Sequence, residues 1–402
     1  MAGRVRQPIN VRALEAWIAK SVPEIEVPLD VKQFGFGQSN PTYQLTSPDG
    51  RRYVLRKKPP GALVSKTAHK VEREYRIIAA LAATDVPVPK AYCLCEDPSV
   101  IGTPFYIMSF LDGRIFEDPV IPNLLPDERR AIWADAIRVL AKLHRVDPRA
   151  VGLEAFGKPS GFYTRQVATW RTICDAQASV RDVETHEPVG SLPHFADLMD
   201  FFADEAQQPV DRGTLIHGDF KIDNLVFHKT EPLVIGILDW EMSTIGHPLS
   251  DLSNLLTPYF TARLDPSRSI SVHTGFRPRA TRGLPTPEEI STLYFSVVDP
   301  RTPASQSSLE LSLTRQTPGE PDRRRELQWA QAFNIFRLAA ICQGIAARHA
   351  GRQASSEQAR RYADSRAPLA EFAWELVQST RAAGAGGGGG GDSGSRGSNS
   401  RL

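Results

Sequence analysis

The segment His217-Gly-Asp-Phe-Lys-Ile-Asp-Asn224 places an imidazole, two carboxylates, an ammonium and a carboxamide within eight residues, directly ahead of apolar Leu225, Val226 and Phe227. Asp219 can orient a hydroxyl or accept its proton. Asn224 offers a hard carbonyl oxygen suited to Mg2+, and Lys221 between them can neutralise a phosphate. Fifteen residues after Asn224, Ile237 and Leu238 read as a buried strand that ends in Asp239. A strand-end carboxylate beside a loop carboxamide is a way to hold a divalent cation next to a nucleoside triphosphate. Taken alone, His-Gly-Asp would serve equally well to cap a turn. The following Lys-x-x-Asn and the later Asp239 are what favour phosphoryl-transfer chemistry.

A second group of residues lies far upstream. Phe34-Gly-Phe-Gly-Gln-Ser-Asn40 offers Gly35 and Gly37, where the backbone could approach phosphates and present its N–H groups. A bare Gly-x-Gly is also an ordinary hairpin turn; its position ahead of a Tyr53–Lys57 strand and a Glu-bearing helix gives it weight. Ser39 and Asn40 are candidates for polar lids over the phosphates. In Tyr53-Val-Leu-Arg-Lys57 the strand alternation puts Arg56 with Val54, and Lys57 with Leu55 and Tyr53. Either cation could meet a phosphate, and the choice between them stays open here. Glu74 lies three residues past Val71 and four before Ile78, so it borders the buried face of its helix, whereas Glu72 points elsewhere. Glu74 is therefore the candidate partner for that cation.

The elements that must position these groups have distinct signatures. Val11, Leu14, Trp17 and Ile18 predict an amphipathic helix over 11–20. Residues 31–58 read as three strands separated by turns, 69–83 as a helix along Val71, Tyr75, Ile78 and Leu81, and 86–96 and 103–113 as two more strands. From about 127 the pattern is helical, except for short strands around the 217–224 motif. Residues 261–325 are rich in Pro, Arg, Ser and Thr and read as long loops, with a helix only at 285–295. Residues 329–348 form a core helix with Phe333, Phe336, Ala340 and Ile341 near one face. The tail past Arg381 carries six consecutive glycines and should be disordered. The expected organisation is a nucleotide-binding lobe at 1–110, a catalytic and acceptor-binding lobe at 111–380 and a tail at 381–402. The fold class is α+β: a small antiparallel-sheet lobe and a larger, mostly helical one.

Composition narrows the function classes. A net charge of +2 with no long basic stripe argues against nucleic acid as a partner. No run of about 18 apolar residues exists to span a membrane. Cys93, Cys95, Cys174 and Cys342 make no metal-ligand spacing, and a disulfide framework is not expected at this size, so a reducing compartment is the default. The N-terminal Met-Ala-Gly-Arg-Val-Arg-Gln-Pro lacks the apolar core of a secretory signal.

The order His217, Asp219, Lys221, Asn224 resembles the catalytic loop of the aminoglycoside phosphotransferase and choline kinase group, relatives of protein kinases, with Gly218 where protein kinases carry arginine. The resemblance implies a two-lobed protein-kinase-like fold, ATP and Mg2+ as cofactors, Asp219 as catalytic base, Asn224 and Asp239 as Mg2+ ligands and His217 as a support. Alignment with the V-A-x-K of kinases picks Arg56 as the phosphate-pairing cation, with arginine in place of lysine, and the neighbouring Lys57 keeps that assignment open. The resemblance also assigns Asp251, in His247-Pro-Leu-Ser-Asp-Leu252, to bracing the catalytic loop; a helix cap is its plainer role. Trp240 and Glu241 follow Asp239, and no Ala-Pro-Glu motif exists, so a small hydroxylated acceptor is favoured over a protein substrate. Tyr53–Gly61, Glu72–Leu81, the 217–224 and 237–252 segments, Gly283–Glu289 and Phe336–Gly344 together look like one branch of the group. That branch includes the N-terminal kinase-like domains of acyl-CoA dehydrogenase family members 10 and 11. It implies a hydroxyacyl-CoA acceptor and a separate acyl-CoA dehydrogenase as partner. The alternatives are an aminoglycoside or choline-like amine kinase, and a catalytically inactive kinase-like binding protein.

Ser400-Arg401-Leu402 resembles the Ser-Lys-Leu address that a peroxisomal import receptor reads. The expectation is the peroxisomal matrix, with the cytoplasm next and the mitochondrion third. In a cell with intact peroxisomes, the full chain should collect there while a chain lacking residues 400–402 should not. Identical cytosolic distributions for the two would reduce the tripeptide to plain tail.

Overall fold

The computed structural model describes residues 2–35, 40–59, 71–267, 269, 272–299, 322–353 and 357–385. The expectations for Gly37, Ser39, residues 300–321 and Ser400-Arg401-Leu402 lie outside them. The described residues belong to two compact units. One is drawn from Met1–Tyr163, Asp211–Arg263 and His273–Pro318, the other from Thr164–Val210, Leu264–Val272 and Gly319–Leu402. These units are not the lobes expected at 1–110 and 111–380, because the first unit contains both the N-terminal sheet and the 217–239 segment.

In the first unit, β1 (Ala2–Gly3), β2 (Asp30–Phe34), β3 (Thr42–Thr46), β4 (Arg52–Lys57), β5 (Ala91–Cys95) and β6 (Phe105–Ser109) form an antiparallel sheet in the order β1-β2-β3-β4-β6-β5. Period-two alternation divides its residues between two faces. Tyr53 and Leu55 of β4, with Phe105 and Ile107 of β6, join one core with Leu14 and Ile18 of α1 (Val11–Ser21). The Asn10 side chain caps that helix by accepting from the Ala13 N–H at 3.1 Å. The intervening residues, Arg56 and its cross-strand neighbour Tyr106, belong to the other face. Helix α2 (Val71–Leu81) packs against β5 and β6, burying Val71, Ile77, Ile78 and Leu81 together with Glu74.

The same unit holds two short ladders. β7 (Thr214–Ile216) pairs with β10 (Thr244–Gly246), and β8 (Leu225–Phe227) pairs with β9 (Val234–Ile237). Short α3 (Pro98–Ile101), α4 (Pro126–Arg145), α7 (Leu249–Thr261) and α8 (Pro287–Val298) complete it. Thr286 and Glu289 close a capping box on α8, which explains why a helix starts inside the loop-like 261–325 stretch.

The second unit contains most of α5 (Phe162–Ala178), then α6 (Phe195–Ala203), α9 (Arg323–Ala350), α10 (Glu357–Asp364) and α11 (Arg366–Ala385). Phe202 meets Trp329, Phe333 and Phe336, and the Trp329 and Phe333 rings stack with centroids 5.3 Å apart. Two expectations are corrected here. Ile341 does not share the buried face of Phe333, Phe336 and Ala340; it is 43% exposed. From Phe333, eight residues at 100° each carry it well past the buried stripe. Helix α11 also runs to Ala385, so the tail does not begin at Arg381, because Ala382, Ala383 and Ala385 are strong helix formers.

Helix α2 is tied down by its arginines. The Arg73 guanidinium donates to the Phe156 carbonyl at 2.8 Å and the Ser243 carbonyl at 3.2 Å, and lies 4.0 Å from the Phe156 ring centroid. Arg76 donates to the Gly152 carbonyl at 3.0 Å. Two carbonyl contacts and a ring contact on half-buried Arg73 should contribute about 1–3 kcal/mol. Arg73→Met should lower the unfolding free energy by about that amount in denaturant titration. A variant as stable as the parent would show that these contacts do not hold α2.

Candidate active site

The 217–224 loop leaves β7 and enters β8, so ladders flank it on both sides. His217 is fully buried. Its Nε2 donates to the Leu238 carbonyl at 2.8 Å, and its Nδ1 accepts from the Asp219 N–H at 3.2 Å. The imidazole thus ties the loop to the end of β9. The Trp240 ring packs on it with centroids 4.9 Å apart. Gly218 has φ +86°, and a Cβ there would stand 2.6 Å from the Met242 carbonyl oxygen. Glycine is therefore required on both counts where protein kinases have arginine.

Asp219 follows with its carboxylate partly exposed. Oδ2 accepts from Asn224 Nδ2 at 3.1 Å, and Lys221 Nζ lies 3.4 Å away. Lys221 also approaches Asp223 at 3.3 Å. Burial works against the ammonium, but Asp219 and Asp223 outweigh it and hold the Lys221 pKa above its ordinary value. Asn224 Nδ2 also donates to the Asp219 carbonyl at 2.8 Å. With its N–H groups turned toward Asp219, the Asn224 side-chain oxygen is left to face another ligand. Leu225 pairs with Ile237, and the Leu238 N–H donates to the Asn224 carbonyl at 2.9 Å, so Asn224 and Asp239 stand at the same end of the β8–β9 ladder. Asp239 has φ +65° and a carboxylate 39% exposed. Among the described residues no three or more His, Cys, Asp or Glu side chains cluster as a metal cage. One carboxylate and one carboxamide oxygen fit Mg2+, which keeps waters and shares its shell with phosphates.

The structure decides between the two cations of β4. Arg56 NH1 lies 3.1 Å from Glu74 Oε2, and both terminal nitrogens approach Asp239 Oδ1 at 3.3 Å. Tyr106 donates to Glu74 Oε2 at 3.0 Å. Burial pushes the Glu74 carboxyl up to about 7 against the pull of Arg56 and Tyr106, while Glu74 and Asp239 keep the guanidinium charged. Lys57 has no part in this ion cluster. Alternation turns it to the face of Tyr53 and Leu55, it is 6% exposed, and burial pushes its pKa down. Asn40 is not a lid either. It is fully buried, and its Nδ2 donates to Glu74 Oε1 at 2.9 Å, which makes it a brace for the ion pair. Gly35 is exposed directly after β2.

Beneath the loop lies Asp251, 1% exposed on the first turn of α7. Its Oδ2 accepts from the His217 N–H at 2.7 Å and its Oδ1 from the Gly218 N–H at 2.8 Å. His144 of α4 approaches Oδ2 at 3.3 Å through Nε2, and its Nδ1 meets the Tyr294 hydroxyl of α8 at 2.6 Å. A carboxylate only accepts, so Nε2 donates to Asp251. One turn further along α7, Asn254 Nδ2 reaches Asp219 Oδ1 and the Phe220 carbonyl, both at 3.2 Å. Sequence reasoning missed His144, Tyr294, Tyr106 and Asn254. Only Asn254 had a local signal, a second polar side chain three residues after Asp251 on one helix face.

A loop carboxylate gripped by a carboxamide, a strand-end carboxylate beside it and a buried Arg–Glu pair above a small antiparallel sheet define a kinase-like phosphotransferase fold of two-lobed α+β type. Residues 30–289 match the model of the phosphotransferase enzyme family (APH), and the chain belongs to that family. It is 36% identical over 92% of its length to acyl-CoA dehydrogenase family member 11 of Rattus norvegicus, covering 44% of that protein. It is 38% identical over 87% of its length to family member 10 of Mus musculus, covering 29% of that one. The chain thus spans less than half the length of these curated relatives. Among solved structures it is similar, at 36% identity and a TM-score of 0.74, to a Ralstonia eutropha protein provisionally named an aminoglycoside phosphotransferase, over 92% of this chain and 99% of that one. The GDP complex of aminoglycoside 2'-phosphotransferase-IIIa shares the fold at 14% identity and a TM-score of 0.52, over 93% of this chain and 99% of that one. The chain is an enzyme of the small-molecule kinase type.

Asp251 carries the pH sensitivity of this assembly. Burial alone would raise its pKa, but the His144 donor and the backbone N–H of His217 overcome that and hold it below the ordinary carboxylate range. The unfolded chain then binds the proton more readily, so this stabilisation is present above about pH 3.9 and is lost as pH falls through the folded pKa. Asp251→Asn should cost about 2 kcal/mol or more at pH 7, because an amide cannot accept from both backbone N–H groups. The gap between variant and parent, read from denaturant melts, should close as the pH drops below about 4. A gap that is constant with pH would show that Asp251 is not an ionised brace.

Proposed function

We propose that the protein transfers the terminal phosphoryl group of ATP to a hydroxyl of a small molecule. The observation that carries this reading is that one unit holds two bonded groups, Asp219 with Asn224 and Arg56 with Glu74 and Asp239, whose Asn224 and Asp239 stand at the same end of the β8–β9 ladder. The acceptor oxygen forms a bond to the γ-phosphorus as the bond from that phosphorus to the β–γ bridging oxygen breaks. The acceptor proton passes to Asp219, and ADP leaves with the bonding electrons. Asn224 and Asp239 would hold Mg2+, whose chemistry is to offset charge on the phosphoryl oxygens. Arg56, positioned by Glu74, would turn from Asp239 toward the nucleotide phosphates, and Lys221 would neutralise the phosphoryl group in transit. Gly35 would stand at the edge of the nucleotide site.

The acceptor we favour is a hydroxyacyl-CoA. Relatives named acyl-CoA dehydrogenase family members support it, since an acyl-CoA kinase has a natural consumer in such an enzyme, here as a separate partner. Exposed Arg277, Arg279 and Arg282 suit an anionic acceptor better than a cationic one. A second reading, phosphorylation of an aminoglycoside or a choline-like amine, rests on the name of the Ralstonia protein. Asp219, Asn224 and Asp239 together argue against an inactive binding protein. A peroxisomal setting would place the reaction among acyl-CoA substrates.

ATP turnover by the purified full chain, measured against hydroxyacyl-CoAs, choline analogues, sugars and aminoglycosides, tests the reading. Asp219→Asn should cut phosphoryl transfer by about two orders of magnitude or more while the fold persists. Asp239→Asn should weaken Mg2+ dependence and turnover together. An Asp219→Asn rate equal to the parent's with the best acceptor would reject the base, and an unaltered Mg2+ titration in Asp239→Asn would reject the ligand role.

A further inference from the structure

The two oxygens of the Asp219 carboxylate are not equivalent. Each carboxylate oxygen has room for about two donors. Oδ2 already meets two, Asn224 Nδ2 at 3.1 Å and Lys221 Nζ at 3.4 Å. Oδ1 meets one among the described residues, Asn254 Nδ2 at 3.2 Å. The same Asn254 nitrogen bonds the Phe220 carbonyl at 3.2 Å, so both of its N–H groups are committed to the loop. Nor is Asn254 a loosely placed side chain. It lies on α7 three residues after Asp251, whose carboxylate is fixed by the His217 and Gly218 N–H groups at 2.7 and 2.8 Å. One helix face thus grips the backbone before Asp219 and the side chain of Asp219 itself.

We propose that Asn254 is the positioning residue of the catalytic carboxylate: it fixes the rotation of the Asp219 side chain so that Oδ1 presents its open lone pair to the acceptor hydroxyl. This rests on the phosphoryl-transfer reading and names the oxygen that takes the proton. Asn224 and Lys221 hold the carboxylate from the side on which metal and phosphate would stand. Asn254 holds it from the opposite oxygen. Without Asn254, the carboxylate could turn about its Cβ–Cγ bond toward Lys221 and present no oriented base.

The test uses the full chain with Asn254→Leu, which removes the donor, and Asn254→Asp, which keeps the shape but donates only when protonated. Crystal structures of parent and Asn254→Leu read the carboxylate directly. The parent should show one Asp219 rotamer with Oδ1 on Asn254, and the variant a turned or split one. An unchanged single rotamer in Asn254→Leu overturns the proposal whatever the enzyme's activity. With the acceptor found by screening, kcat should fall about tenfold or more in Asn254→Leu while the KM for MgATP stays within about twofold. Asn254→Asp should be slower still at pH 8 and should recover relative to Asn254→Leu as the pH falls and the introduced carboxyl gains a proton. A parallel loss of kcat and MgATP affinity, or no relative recovery at low pH, would leave Asn254 a merely structural residue. If Asp219→Asn retained full activity, the phosphoryl-transfer reading would fall, whereas the crystallographic result would still stand or fall by itself.

Discussion

A buried carboxylate under the loop is the constraint on which the site depends. Asp251 accepts both backbone N–H groups that precede Asp219, so the loop cannot shift without leaving two donors and an ion unsatisfied in the interior. Each such loss is expensive where water is excluded. Gly218 is required by the same arrangement, because its φ is positive and a Cβ there would stand only 2.6 Å from the Met242 carbonyl oxygen, in the turn that follows Asp239. His144 of α4 completes the carboxylate's shell, and Tyr294 of α8 holds His144 from its other ring nitrogen. The loop's position is thus set by α4, α7 and α8 together.

The sheet side rests on a different ion cluster built by similar logic. Arg56 is shared between Glu74 and Asp239, and Glu74 is itself held by Tyr106 and Asn40. A planar guanidinium can reach two carboxylates at once, which a lysine ammonium on a flexible stem does with less directional control. The geometry gives arginine at this position a physical role in place of the lysine of V-A-x-K. Arg73, next to Glu74, anchors α2 to the carbonyls of Phe156 and Ser243. The helix bearing the partner carboxylate and the segment following Asp239 are therefore locked to one another.

Much was legible from local pattern. Alternation in β3 and β4, helical spacing in α1, α2 and α9, and the compact His217–Asn224 motif each carry their information within a few residues, where backbone geometry alone dictates which side chains share a face. Asp219, Lys221, Asn224 and Asp239 could be singled out because their chemistry and spacing are contained in two short stretches. Glu74 could be chosen over Glu72 by helix phase. The same reasoning placed Arg56 and Lys57 on opposite faces of β4.

What it could not decide was which face meets which partner. Arg56 and Lys57 differ only in the side of the sheet they occupy, and only the packing of α1 on one face and α2 with Glu74 on the other distinguishes them. Asn40 looked like a surface lid because a loop polar residue usually is one; its burial against Glu74 comes from a helix more than thirty residues away. His144, Tyr294 and Asn254 converge on the loop from α4, α8 and α7, and nothing in their own neighbourhoods announces that. The residue types and their local phase were thus determined by the sequence itself. The choice of cation, the braces around Asp219 and the unequal environments of its two oxygens came from long-range contacts, which follow from how helices and sheet exclude water together.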